Sequence, residues 1–113
     1  MRFENILVLD PSSFFRKRLL GALQGHCVRE VQDRAEAEVL MAKMPVDLLI
    51  SEGSDPSGNL QEWFANLWRA RQVRQVILST AGRSVVVSPD KPWLIATLFK
   101  PYPLEELLAL ITG

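Results

Sequence analysis

Four short apolar runs, each ending on a polar residue, constrain this chain more than anything else in it. Asn5 to Leu9 (NILVL) ends in Asp10 and Val46 to Ser51 (VDLLIS) ends in Glu52. Val73 to Ser79 (VRQVILS) ends in Thr80, and Trp93 to Phe99 (WLIATLF) ends in Lys100. Continuous apolar runs of this length read as strands covered on both faces. Between them the spacing changes to that of helices. PSSFFRKRLLGAL places Phe15, Leu19, Leu20 and Leu23 on one face, with Pro11, Ser12 and Ser13 as start residues and Gly25 as the stop. Arg34 to Lys43 (RAEAEVLMAK) is rich in helix formers and stops before Pro45. Leu60 to Arg71 carries Leu60, Trp63, Phe64, Leu67 and Trp68 in one apolar stripe, which predicts both tryptophans in the core. Cys27 to Val31 is a weaker strand, and Leu104 to Ile111 is the last helix.

Strands alternating with helices predict an α/β domain: a single doubly wound, five-stranded parallel sheet with helices on both faces. The 113 residues suffice for one such domain and not for two, so residues 1–113 are read as one unit. With 48% hydrophobic residues, the chain has enough to build a core without disulfides or metal. The alternation fails once. Between the fourth and fifth strands the sequence reads AGRSVVVSPDKPW, where Pro89 and Pro92 disfavour helix and Val85 to Val87 favour extended backbone. The helix expected there is degraded, or replaced by a loop or an extended segment.

Charge and composition exclude several functions. Thirteen basic residues balance thirteen acidic ones, so no field draws the chain to nucleic acid or to an acidic membrane. Arg69, Arg71 and Arg74 read as the solvated end of a helix. No apolar run approaches the length of a membrane span, and Met1 to Glu4 does not resemble a signal peptide. The single cysteine, Cys27, permits no internal disulfide and suits a reducing compartment, so a cytoplasmic location is expected, with Cys27 as a small core residue. The only histidine, His26, rules out a histidine metal cluster and reads as a loop residue. No metal and no cofactor are expected. A small enzyme would need a phosphate loop, a nucleophile elbow or a CxxC pair, and none is present.

In open parallel sheets, functional groups gather beyond the carboxyl ends of the strands. Those ends supply Asp10, Glu52, Thr80 and Lys100, the one chemical constellation in the sequence.

ILVLDPSSFFRKRLL resembles the opening of a response-regulator receiver domain (CheY-like), with its hydrophobic strand, acidic pair and following helix. VDLLIS resembles the strand that delivers that family's phospho-acceptor aspartate. VILSTA resembles the strand carrying its switch hydroxyl, and FKPYPLEELLALI its Lys-Pro strand end and last helix. The four motifs stand in family order and cover essentially the whole chain. The resemblance implies a flavodoxin-like receiver fold and a role in two-component signalling. It also exposes departures. The second acid of the pair is Pro11, which has no side chain to hold Mg²⁺. The acceptor position is Glu52, one methylene longer than aspartate. The family's switch aromatic corresponds to Thr97. Phosphoryl transfer needs in-line geometry and a metal that neutralises developing charge. Both are weakened, so the resemblance is to an atypical or pseudo-receiver with a degenerate pocket of Asp10, Pro11, Glu52, Thr80 and Lys100. Lys100 either pairs with a carboxylate as a structural lock or serves a retained ligand or signalling role. The chain is expected to act through a protein partner or as a homodimer, without phosphorylation. The alternative is an active phosphoacceptor on a non-standard acid such as Asp55. Trp93 and Tyr102 are the candidate partner surface, unless Trp93 folds back over the sheet end.

Overall fold

Each apolar run becomes a strand of one sheet. The computed structural model describes residues 3–53, 59–81 and 87–112. The strands are β1 (Asn5–Leu9), β2 (Cys27–Val31), β3 (Val46–Glu52), β4 (Val73–Thr80) and β5 (Leu94–Phe99). The helices are α1 (Ser13–Ala22), α2 (Arg34–Lys43), α3 (Leu60–Arg69) and α4 (Leu104–Thr112). All strand pairs are parallel, in the order β2-β1-β3-β4-β5. The doubly wound α/β architecture read from the sequence is therefore the one observed.

Alternation along the strands divides the apolar residues between two cores. Leu7, Leu49, Val76 and Leu78 face α2 and α3, where they meet Met41, Trp63, Phe64 and Leu67. Ile6, Val8, Ile50 and Ile77 face the other way, onto Leu19 of α1 and Leu107 and Ile111 of α4. Local chemistry sets the helix ends. The Ser12 hydroxyl accepts from the Phe15 amide at 3.2 Å and the Asp33 carboxylate from the Glu36 amide at 2.9 Å, so each supplies a partner for an otherwise open donor. Gly25 closes the α1 turn with φ +95, a conformation that strains residues with a Cβ. No helix among the described residues is long and apolar enough to cross a membrane.

The stretch between β4 and β5 departs from regular alternation, as expected. Among the described residues no helix lies there, and residues 87–93 run through turns; Val85 and Val86 fall outside the described residues. The Ser88 amide donates to the Gln61 side chain at 2.8 Å, which ties this segment to α3.

Three expectations are corrected. Trp93 is not a surface residue: it is 1% exposed and packs edge-on against Phe64, with ring centroids 5.6 Å apart. Among the described residues no helix intervenes between β4 and β5, and the indole and Val87 join the α3-side core on that face of the sheet. Trp68 is 39% exposed, because the α3 stripe outruns the sheet beneath it. Cys27 is exposed, because it opens an edge strand rather than a central one.

Candidate functional site

The strand register levels the carboxyl ends. Leu9 stands beside Ser51, Glu52 beside Ser79, and Thr80 beside Phe99. Asp10, which follows β1, is buried at 2% exposure. One carboxylate oxygen accepts from Lys100 Nζ at 2.6 Å, and the other accepts from the Ser12 amide at 2.8 Å. The second bond follows from sequence, since an aspartate readily accepts from the amide two residues on. Arg16 clamps the same corner, donating to the Asp10 carbonyl at 2.5 Å and to Glu30 at 2.8 Å. The Lys100 ammonium also sits 4.0 Å from the centroid of the Phe15 ring, a favourable cation–π position. A buried carboxylate requires this many partners, because desolvation without them is costly.

Thr80 ends β4 fully buried, and its carbonyl accepts the Lys100 amide at 2.8 Å. Gly53, just past β3, lies so close that a Cβ built on it would come within 2.7 Å of both the Cβ and the Oγ1 of Thr80. Backbone thus closes over the hydroxyl, and only glycine leaves the room. Glu52 is half-buried and lines a cleft together with Pro11, Asp33 and Leu60. Thr97 is half-buried beside Leu78 in the middle of the β4–β5 ladder.

Of the residues picked out from the sequence, Asp10 and Lys100 are in direct contact, Thr80 is tied to Lys100 through backbone, and Pro11 and Glu52 share a cleft wall. Trp93 stands apart in the core. Tyr102 turns inward rather than outward: its hydroxyl shares a 2.7 Å hydrogen bond with Ser79, and its ring meets Phe15 edge-on at 6.0 Å. Burial pushes its phenol above the ordinary range, and the Asp10 charge adds to this, against the Ser79 bond. Tyr102 itself is half-buried, with its hydroxyl and ring tied to Ser79 and Phe15 beside the pocket. The Lys100–Pro101 peptide is cis. Sequence reasoning missed Phe15, Arg16, Gly53 and Ser79 as parts of the site. Only Gly53, next to a strand end, carried a signal, since glycine there marks a close backbone approach.

The resemblance implies Mg²⁺, and the residues present do not fit it. Both oxygens of Asp10 are engaged, Pro11 offers no ligand, and the described residues contain no group of three histidine, cysteine, aspartate or glutamate side chains able to hold a metal.

No family model matches the sequence, and no curated protein does. Solved structures do match. The signal receiver domain of an HD domain-containing protein from Pseudomonas fluorescens superposes with a TM-score of 0.82, covering 97% of this chain and 92% of its own at 23% identity. The chain has the receiver fold. A response regulator receiver domain protein from Clostridium thermocellum gives a TM-score of 0.80 over 96% of this chain and 90% of its own, at 18% identity. A response regulator from Burkholderia pseudomallei, solved with a phosphorylated aspartic acid, a calcium ion and citrate, gives 0.77 over 97% and 67% at 22% identity. On the receiver fold, the carboxyl-end corner of this chain is occupied by a lysine–aspartate pair and a glycine-capped threonine.

Proposed function

We propose that this chain is a pseudo-receiver: a non-enzymatic signalling module of the cytoplasm that acts through protein contacts and accepts no phosphoryl group. The observation that carries this reading is the state of Asp10. Each oxygen of its carboxylate is engaged by the chain itself, one by Lys100 and the other by the Ser12 amide, at the corner that would hold a metal. Pro11 and Glu52 replace the metal ligand and the acceptor that the resemblance calls for, and Gly53 seats backbone against the switch hydroxyl. A phosphoryl group arriving there would have no metal to neutralise its charge and no aspartate in line. The module then keeps one conformation, and a partner reads that conformation constitutively.

The test is amide NMR of the domain with millimolar Mg²⁺ and either acetyl phosphate or beryllofluoride. The spectrum is expected to stay unchanged. Shifts around Thr80 and Lys100, or a phosphoryl label on any acid, would sink the reading. A label on Asp55, which lies outside the described residues, would establish the alternative of a non-standard acceptor. Restoring acceptance is expected to need Pro11→Asp and Glu52→Asp together, because metal and acceptor act as a unit.

A further inference from the structure

The end of the sheet away from Asp10 and Lys100 carries a cleft of its own. It measures about 510 Å³. Pro45 and Asp47 line it at the start of β3, Arg74 and Gln75 at the start of β4, and Trp68 and Arg71 where α3 ends. That volume lies within the range of small-molecule pockets.

Arg71 reaches this cleft from a strained position. α3 ends in a closed turn, in which the Gln72 amide donates to the Leu67 carbonyl at 2.9 Å and the Arg71 amide to the Trp68 carbonyl at 3.0 Å. The turn puts Arg71 at its left-handed position, with φ 60, where glycine is the usual residue. Among the described residues it is the one residue with a Cβ that has a positive φ. The helix dipole does not require it there. Arg69 already places a cation in the last turn, fixed by a 2.7 Å bond to Asn66. A side chain kept where the backbone favours glycine points to a use for that side chain.

The neighbours suggest the use. Trp68 leaves 39% of its surface open, an aromatic face at the mouth of the cleft. Asp47 holds Arg74 beside it, at 3.6 Å from one carboxylate oxygen. The other oxygen accepts the Glu4 and Asn5 amides, each at 3.0 Å. The carboxylate charge is thus shared among two amides and a guanidinium. With Arg71 and Arg74 against Asp47 alone, the lining has an excess of positive charge.

We infer that this cleft binds a small anion built on an aromatic ring, of the class of a nucleoside monophosphate. The ring stacks on the Trp68 indole, as bases do on aromatic side chains. The phosphate is taken by Arg71 and Arg74, whose planar forks suit its oxygens. The site uses none of the residues of the Asp10–Lys100 corner and does not depend on the reading of that corner.

Titration calorimetry of the full chain reads the binding, with adenosine monophosphate as the probe and adenosine and inorganic phosphate as its separate halves. The nucleotide is expected to bind one to one, at least about tenfold tighter than either half, because the linked groups act together. Arg71→Gly is expected to weaken it at least about tenfold while raising the urea midpoint, since glycine relieves the strained turn. A merely structural arginine would not give both effects. Trp68→Leu is expected to weaken binding about fivefold or more, and Arg69→Ala to leave it unchanged. No heat with millimolar nucleotide, a nucleotide no tighter than its halves, or an Arg71→Gly variant that keeps its affinity overturns the proposal. So does an Arg71→Gly variant with no gain in urea midpoint, or an Arg69→Ala variant that loses as much affinity as Arg71→Gly. None of these results bears on the phosphoryl corner, which the beryllofluoride spectrum tests separately.

Discussion

Trp93→Ala distinguishes an indole that covers the sheet from one that waits for a partner. The side chain is 1% exposed, sits in the core between α3 and the β4–β5 ladder, and meets Phe64 edge-on. A tryptophan buries roughly 200 Å² or more, which at about 25 cal/mol per Å² gives an upper figure near 5 kcal/mol. Truncations of buried aromatics cluster at about 3–5 kcal/mol, since neighbours collapse only partly into the space. Collapse is restricted here, because the segment before Trp93 is pinned to α3 by the Ser88–Gln61 bond and the Trp93 carbonyl accepts the Val76 amide at 2.7 Å. The expected loss is therefore about 4 kcal/mol, a large share of the 5–15 kcal/mol typical of whole domains. For a domain of this size that lowers Tm by roughly 15 °C. Urea unfolding followed by far-UV circular dichroism measures it without relying on tryptophan fluorescence. A double-mutant cycle with Phe64→Ala is expected to show coupling of about 1 kcal/mol, as residues in contact do. A loss below about 1 kcal/mol would refute the reasoning, because that is the range for exposed positions.

Further outcomes concern the pocket. Lys100→Ala leaves the Asp10 carboxylate buried without its counter-charge, the Ser12 amide still donating to it, and is expected to cost about 3 kcal/mol in urea unfolding. Replacing both partners, Asp10→Asn with Lys100→Met, recovers most of that, and a single variant as stable as wild type would show the pair to be incidental. Gly53→Ala drives a methyl into the Thr80 side chain and is expected to cost about 1–3 kcal/mol by overpacking. A neutral result there would mean that the turn shifts freely. Tyr102 is the one tyrosine, so its absorbance titration is read without interference. Its phenol is raised above the ordinary 10.0, chiefly by burial, so the folded state holds that proton more tightly than the unfolded chain. The stability it contributes is fully present below the unfolded value and is lost as pH rises through the folded one. Tyr102→Phe is expected to remove this alkaline dependence; a titration midpoint at or below 10.0 contradicts it.

The strands, the helices and the four polar strand ends were legible in the sequence because each depends on neighbours along the chain. An apolar run as short as ILVL, bounded by turn residues, is too short for a helix and reads as a strand covered on both faces, and Ser12 and Asp33 cap helices that begin beside them. Pro89 and Pro92 likewise disfavour helix by local sterics, and residues 87–93 run through turns. What needed the tertiary structure was every question of who faces whom. Trp93, Trp68 and Cys27 all took positions that hydrophobicity and spacing did not reveal, because exposure depends on which element lies above a residue and whether its strand is at an edge. The indole went inward because α3 and β4 bring Phe64 and Val76 to that side of the sheet, and this arrangement is a property of the fold, not of the residues around Trp93. The pocket follows the same division. Chain order put Asp10 and Lys100 at strand ends, but 90 residues separate them, and only the parallel register of β1, β3, β4 and β5 brings the ammonium to 2.6 Å from the carboxylate and closes the corner.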